Sequence, residues 1–204
     1  MSGAPPPEPG ARAARGVPTG RARRGVRVLL VGVGLLLLVA VAGYPVLVTP
    51  RTDPLPTAAD PADAVVALGG AETAGLATEL LDRGLVERLV VADPYQGYPP
   101  DTVAAACERA RTDPAVSCFD PDPSTTRGEA REIRDLGAAE GWEHVVVVAP
   151  DHQLERARYI VGRCWAGELS MVDAGVETPL LAWPSRYVYQ GAGWARALLT
   201  QRGC

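Results

Sequence analysis

The chain has 204 residues, 47% of them hydrophobic, enough for one ordinary domain with extensions. Its formal net charge is -4, which argues against nucleic acid as the main partner. Every basic residue is arginine, and six of them (Arg12, Arg15, Arg21, Arg23, Arg24, Arg27) precede Val28 against the single acid Glu8, so the rest is clearly acidic.

Residues 1–27 are rich in Pro, Gly, Ala and Arg without an apolar period, the composition of a disordered basic tail. The 21 residues from Val28 to Val48 carry no charge. As a helix that length spans a bilayer core of about 30 Å. Arginines directly before such a span stay in the cytoplasm, which places the remainder of the chain on the extracytoplasmic side. Ala40-Val41-Ala42 also resembles a signal-peptidase site. Because the apolar run continues past it to Val48, an uncleaved single-pass anchor is the preferred reading, and both readings export the domain. The V-G-V-G at Val31–Gly34 lacks the third glycine of a dinucleotide fingerprint and sits inside an unbroken apolar run, so it is rejected as one. Residues 49–62 contain Pro50, Pro54, Pro56 and Pro61, a stiff extended linker expected to lift the domain off the membrane.

The domain occupies residues 63–204. Ala64–Leu68 reads as a buried strand ending in the tight turn Gly69-Gly70. Thr73–Arg83 has helical spacing and stops at Gly84. Leu89–Ala92 is a second strand, Thr102–Arg111 a short helix, Val116–Phe119 a third strand. Thr126–Glu140 is a helix, His144–Ala149 a fourth strand, Asp151–Trp165 a helix and Leu169–Val172 a fifth strand. Ser185–Arg202 reads as a terminal helix with a break expected near Gly191 and Gly193. Strands and helices alternate and the strands are apolar on both faces, the pattern of a three-layer α/β/α domain with a mostly parallel five-stranded sheet. Ligands of such sheets bind beyond the C-terminal strand ends. Gly69-Gly70, Asp93, the 120–126 loop and Asp151-His152 all follow strands and belong to that edge.

The densest polar chemistry lies at two helix starts. Thr126 and Glu129 fit T-x-x-E, a capping box in which hydroxyl and carboxylate satisfy backbone amides and no ligand is needed. The same geometry offers free amides and the hydroxyls of Ser124, Thr125 and Thr126 to a phosphate or carboxylate. Arg127 stands in the first turn, where a cation opposes the helix dipole. Either an anionic ligand or a salt bridge to Asp120 or Asp122 accounts for it there. His152 opens the next helix with Arg156 four residues on, hence on the same face. The pair reads either as an anion clamp, with a neutral imidazole able to move a proton, or as a surface helix capped by Asp151. No His/Cys cluster has metal spacing, and no cofactor is identified.

The Gly69-Gly70 turn, the T-T-R-G-E-A start at Thr125–Ala130, and the run Val145–Val148 followed by His152 and Arg156-Ala157 resemble the YdcF-like family, that of the SanA and ElyC proteins of bacterial envelopes. The resemblance covers most of Asp63–Trp165. It implies a Rossmann-like domain, an inner-membrane or periplasmic-side setting, and a link to envelope and peptidoglycan-precursor metabolism. The family's arginine after the glycine turn has no counterpart here before Arg83.

The sequence therefore yields these expectations. The ligand is an anionic small molecule or a lipid-linked precursor, held by Gly69, Gly70, Thr125, Thr126, Arg127 and Arg156. Glu129 or His152 moves a proton if the protein is a hydrolase or transferase, and the same pocket serves recognition alone if it is a non-catalytic binder. Cys107, Cys118, Cys164 and Cys204 form an even set in an exported domain, where disulfides are permitted. Four cysteines allow three pairings. Cys107–Cys118 and Cys164–Cys204 are preferred, because they would staple the short helix to the third strand and tie down the terminal helix. The segment W-P-S-R-Y-V-Y-Q after Ala182 reads either as packing, the preferred reading, or as closing one side of the pocket.

Overall fold

A computed structural model of the protein describes residues 20–95, 97–200 and 203–204. By internal contacts the chain divides at Val41 into an N-terminal unit and a globular unit that begins at Ala42. Helix α1 (Gly20–Leu47) is long and apolar enough to cross a membrane over Arg23–Leu47. It starts eight residues before the uncharged run, so the last part of the expected basic tail is helical; arginine and alanine are good helix formers and let the helix propagate backwards. Residues 1–19 lie outside the described residues.

The globular unit runs β1 (Ala62–Ala67), α2 (Ala71–Asp82), β2 (Val86–Ala92), α3 (Asp101–Arg109), β3 (Val116–Phe119), α4 (Thr126–Glu140), β4 (His144–Ala149), α5 (Asp151–Val161), β5 (Glu168–Asp173), a 3-10 turn at Leu180–Ala182 and α6 (Trp183–Leu199). All strand pairs are parallel, in the order β3-β2-β1-β4-β5. The alternation of strand side chains gives each face its own core. Val65, Val91, Val146 and Val148 pack under α2 and α3 through Ala74, Leu80 and Val103. Val66, Val90, Val145 and Val147 pack under α4 and α5 through Ile133, Leu154, Ala157 and Val161. This is the expected three-layer Rossmann-like domain, with a sheet that is parallel throughout.

Three features depart from the sequence reading. Helix α6 is continuous through Gly191 and Gly193, because its buried side rests on the core through Gln190 and Ala197 and tertiary packing outweighs the roughly 1 kcal/mol that each glycine costs a helix. Helix α5 ends at Val161 rather than Trp165. The proline-rich linker is fastened to the domain rather than free of it. Asp53 makes two hydrogen bonds to the backbone of Met171 on the edge strand β5, its amide donating to the carbonyl at 2.9 Å and its carboxylate accepting from the Met171 amide at 2.8 Å. The same carboxylate takes Arg158 at 2.6 Å, and Arg51 pairs with Glu155 at 3.3 Å. A strand edge that would otherwise stand open is thereby covered.

Both disulfides pair as expected, Cys107–Cys118 and Cys164–Cys204. The six-membered ring of the Trp165 indole packs against α4 at Gly137, leaving no space for a side chain there. Gly137→Ala is expected to lower the unfolding free energy by about 1–3 kcal/mol through overpacking against the indole, despite the helix preference for alanine. Urea denaturation checks this, and an unchanged midpoint would show that the indole can shift aside.

Candidate functional site

The strand order reverses between β1 and β4, and the crevice at the C-terminal ends of those strands is where open α/β sheets bind ligands. A cavity of about 370 Å³ opens near that point. Its floor is Leu68 and Gly69 after β1 and Pro94 after β2; one wall is the start of α4, another is Gln153, Arg156 and Ile160 of α5, and α6 closes the third side with Tyr189, Gly193 and Arg196.

The start of α4 is set by a close approach. Any side chain on Gly128 would overlap the carbonyl of Pro123, so glycine lets the proline-rich loop fold tightly over the first turn. The cap is Thr125, whose Oγ1 accepts from the Gly128 amide at 3.4 Å. That is one residue earlier than the expected box, and the shift matters for Glu129. With Thr126 as the first helical residue, Glu129 stands in the fourth position and does not reach back to the cap. Its carboxylate points instead into the cavity wall. Thr126 turns its hydroxyl to α5, where Gln153 Nε2 donates to it at 3.4 Å, so the tips of α4 and α5 are adjacent.

Glu129 is 5% exposed, and among the described residues no hydrogen bond reaches its carboxylate. Burial pushes its pKa up to about 7, with the Arg156 guanidinium pulling the other way. The backbone at Gly69 turns with φ 25°, and a Cβ there would stand 3.6 Å from Glu129 Oε1 and 3.2 Å from the Pro94 ring. Glycine thus keeps the floor open beside the acid.

Arg156 is the central cation. Burial lowers its pKa from the ordinary arginine value, while Tyr189 and Glu129 work to raise it. Its Nε donates to Oε1 of the fully buried Gln190 at 2.8 Å. A Cβ on Gly193 would lie 3.0 Å from Arg156 Nε, so this glycine makes room for the guanidinium and Gln190 orients it. Arg127 takes neither Asp120 nor Asp122 as a salt-bridge partner. Its Nη2 donates to the main-chain oxygen of Cys204 at 3.1 Å, and its buried Nε has no partner. The Cys164–Cys204 disulfide holds that oxygen in place. Arg196 adds a third guanidinium from α6, and among the described residues it forms no ion pair.

Gly69, Thr125, Thr126, Arg127, Glu129 and Arg156 therefore come together around one cavity. Gly70 and His152 do not line it. Gly70 caps α2, its carbonyl accepting from the Thr73 hydroxyl at 2.9 Å. His152 is 6% exposed and turns back on its own neighbour, Nδ1 lying 2.8 Å from Asp151 Oδ1. The first turn of α5 sends Gln153, not His152, toward α4, because residues one apart point about 100° from each other around a helix. The expected proton-moving role of His152 has no geometric support here. His144 opens β4 at the opposite end of the sheet, with Ser170 Oγ at 2.9 Å. Among the described residues no three His, Cys, Asp or Glu side chains gather as a metal-ligand set.

Tyr189 and Gln190 belong to the segment read as packing or as closing one side of the pocket, whereas Gln153, Gly193 and Arg196 were not singled out as site residues. The available signal was the spacing of Tyr189, Gly193 and Arg196 at i, i+4 and i+7, one face of a helix, which the expected break at the glycines concealed. Compared with protein-family models, with curated proteins and with solved structures, the chain matches none.

The buried acid makes stability depend on pH. Its folded pKa of about 7 lies above the ordinary glutamate value of 4.5. Between these values the folded state keeps a proton that the unfolded chain has lost, so this group's contribution to stability falls as pH rises from about 4.5 to 7, then levels off. Glu129→Gln is expected to abolish that slope and to be more stable than the parent at pH 8, by up to roughly 3 kcal/mol. The two proteins should differ little at pH 4.5. Urea midpoints at both pH values test this; equal stability at pH 8 would mean that the carboxylate is solvated when charged.

Proposed function

We propose that the protein is a membrane-anchored cell-envelope protein of the YdcF-like type that binds a phosphate-bearing ligand in this cavity, with Glu129 as the group that moves a proton. The observation that carries the proposal is a buried carboxyl group without a hydrogen bond, facing a desolvated arginine beside a helix N-terminus. An unpaired charge of either sign is costly to bury. Arg156, with Arg196 at the mouth, supplies more positive charge than one half-ionised acid neutralises. The free amides at the start of α4 add the positive end of a helix dipole. A phosphate seated there balances the site.

With the phosphate on the arginines, its charge raises the affinity of Glu129 for its proton and keeps it as the acid form. A protonated carboxyl is the group required to hand a proton to a departing oxygen. In the hydrolytic form of the reaction, a water oxygen bonds to phosphorus, the ester P–O bond breaks, Glu129 protonates the leaving oxygen, and the proton released by the water restores the acid. In the transferase form an acceptor hydroxyl takes the place of water. The anchor at α1, with its arginines on the cytoplasmic side, would put the domain outside the membrane, where both disulfides are stable.

A second reading, recognition without turnover, draws on one observation: α2 carries no arginine beside the cavity, since its glycine turn is followed by Ala71-Glu72-Thr73-Ala74. One set of measurements separates the two. The full chain in detergent should bind inorganic phosphate in calorimetry, and Arg156→Gln should weaken binding by roughly tenfold to a hundredfold. Glu129→Gln should bind at least as well as the parent yet lose about 10²–10⁴-fold in turnover of phosphate esters; the parent's kcat/KM should fall as pH rises through about 7, and its kcat only at higher pH, because bound phosphate holds the proton on Glu129. Binding without any turnover selects the recognition reading. No phosphate binding, or binding indifferent to Arg156, rejects both.

A further inference from the structure

Helix α6 carries two apolar faces, and only one is used. Trp183, Tyr187, Gln190, Trp194 and Ala197 face inward, with Gln190 and Ala197 fully buried and the Trp194 ring 5.4 Å from that of Tyr159 of α5, tilted by 44°. Val188, Ala192, Ala195 and Leu199 repeat at i, i+4, i+7 and i+11 on the outward side, with Val188 75% and Leu199 67% exposed. The turn that leads into the helix adds Leu180 and Leu181, the latter 94% exposed. Within the described residues nothing covers this surface. Isolated exposed leucines need no explanation, but a helical stripe continued by two adjacent leucines does.

Two observations select a bilayer as the occupant. First, the end of the membrane-crossing helix belongs to the same globular unit and touches α6. In the last turn of α1 Gly43 lies against the Tyr187 ring, where a Cβ would come within 2.5 Å of Cε1. The N-terminal half of α6 therefore begins beside the place where the chain leaves the hydrocarbon. Second, no acidic residue occurs from Thr178 to Thr200, whereas Arg186 and Arg196 are exposed along the helix and, among the described residues, form no ion pair. A helix with leucine and valine on one side, basic residues flanking them and aromatic residues near its start has the composition of one that lies in a membrane interface.

We infer that the outward face of α6, with Leu180 and Leu181, lies on the surface of the bilayer in which α1 is anchored, so that the cavity opens beside the lipid headgroups. This rests on α1 crossing the membrane and is independent of whether the cavity takes phosphate. Ala192 belongs to the apolar stripe and also lines the cavity, and Tyr189 and Arg196 flank it at the mouth. A ligand held by its headgroup could then keep its apolar part in the membrane.

The experiment uses the full chain in nanodiscs of phosphatidylglycerol and phosphatidylcholine. The photo-crosslinking residue p-benzoylphenylalanine replaces Val188 or Leu199, and Ala105, exposed on α3 across the sheet, serves as the comparison site. Intact-mass spectrometry after illumination should find lipid adducts at 188 and 199 at a yield about tenfold above that at 105, given that interfacial helices bury their apolar face among acyl chains. Arg156→Gln should leave those yields unchanged, which separates this inference from the anion reading. A lipid yield no greater than at 105 would overturn it, as would adducts at 188 and 199 joining two copies of the chain.

Discussion

Burying Glu129 in the cavity wall without giving its carboxyl a hydrogen-bond partner among the described residues is the constraint on which the site depends. A group so placed stays neutral, finds a counter-charge or is stabilised by a ligand. The parts around it all bear on that balance. Gly69 keeps the floor open beside the carboxylate, and Gly128 lets the loop close so that the helix begins at Thr126. Arg156 supplies an opposite charge that is itself poorly solvated. Neither group is satisfied by the other to the point of a salt bridge, and such a pair remains free to respond to a third charge.

The orientation of Arg156 shows how much of the site is built from the end of the chain. The arginine belongs to α5, but the oxygen that receives its Nε and the gap that admits its guanidinium belong to Gln190 and Gly193 of α6. Arg127 is likewise held from a distance, by a main-chain oxygen fixed through the Cys164–Cys204 disulfide. Two of the three cavity arginines thus take their positions from residues 34 or more positions downstream. A Rossmann-like sheet supplies the crevice, while the terminal helix decides what the crevice contains.

The same logic extends to the linker before β1. Arg51 and Asp53 grip Glu155 and Arg158 on α5, the helix that also bears Arg156, and Asp53 covers the β5 edge. Prolines make the segment stiff, yet stiffness alone does not hold a linker away from a domain. An acidic and a basic residue two apart met a complementary pair three apart on the helix, and the Met171 backbone supplied hydrogen bonds that solvent would otherwise make.

Local chemistry determined a good deal from the sequence alone. The apolar runs at Ala64–Leu68, Leu89–Ala92 and Val145–Val148 could only be buried strands, and their alternation with helical segments dictated a covered parallel sheet, because burial on both faces leaves no polar face to expose. The long apolar helix α1 was legible for the same reason, as was the gathering of Gly69, Thr125, Thr126, Arg127, Glu129 and Arg156 at one sheet edge. The orientation of individual side chains was not legible. A cap at Thr125 rather than Thr126 moved Glu129 from a capping role to an unpaired one, and one position along α5 exchanged His152 for Gln153 as the residue facing α4. Each such outcome turns on a rotation of about 100° per residue, which the close approach of Gly128 to Pro123 and the packing of α6 on α5 set. Those contacts join residues far apart in the chain, and only the tertiary structure brings them together.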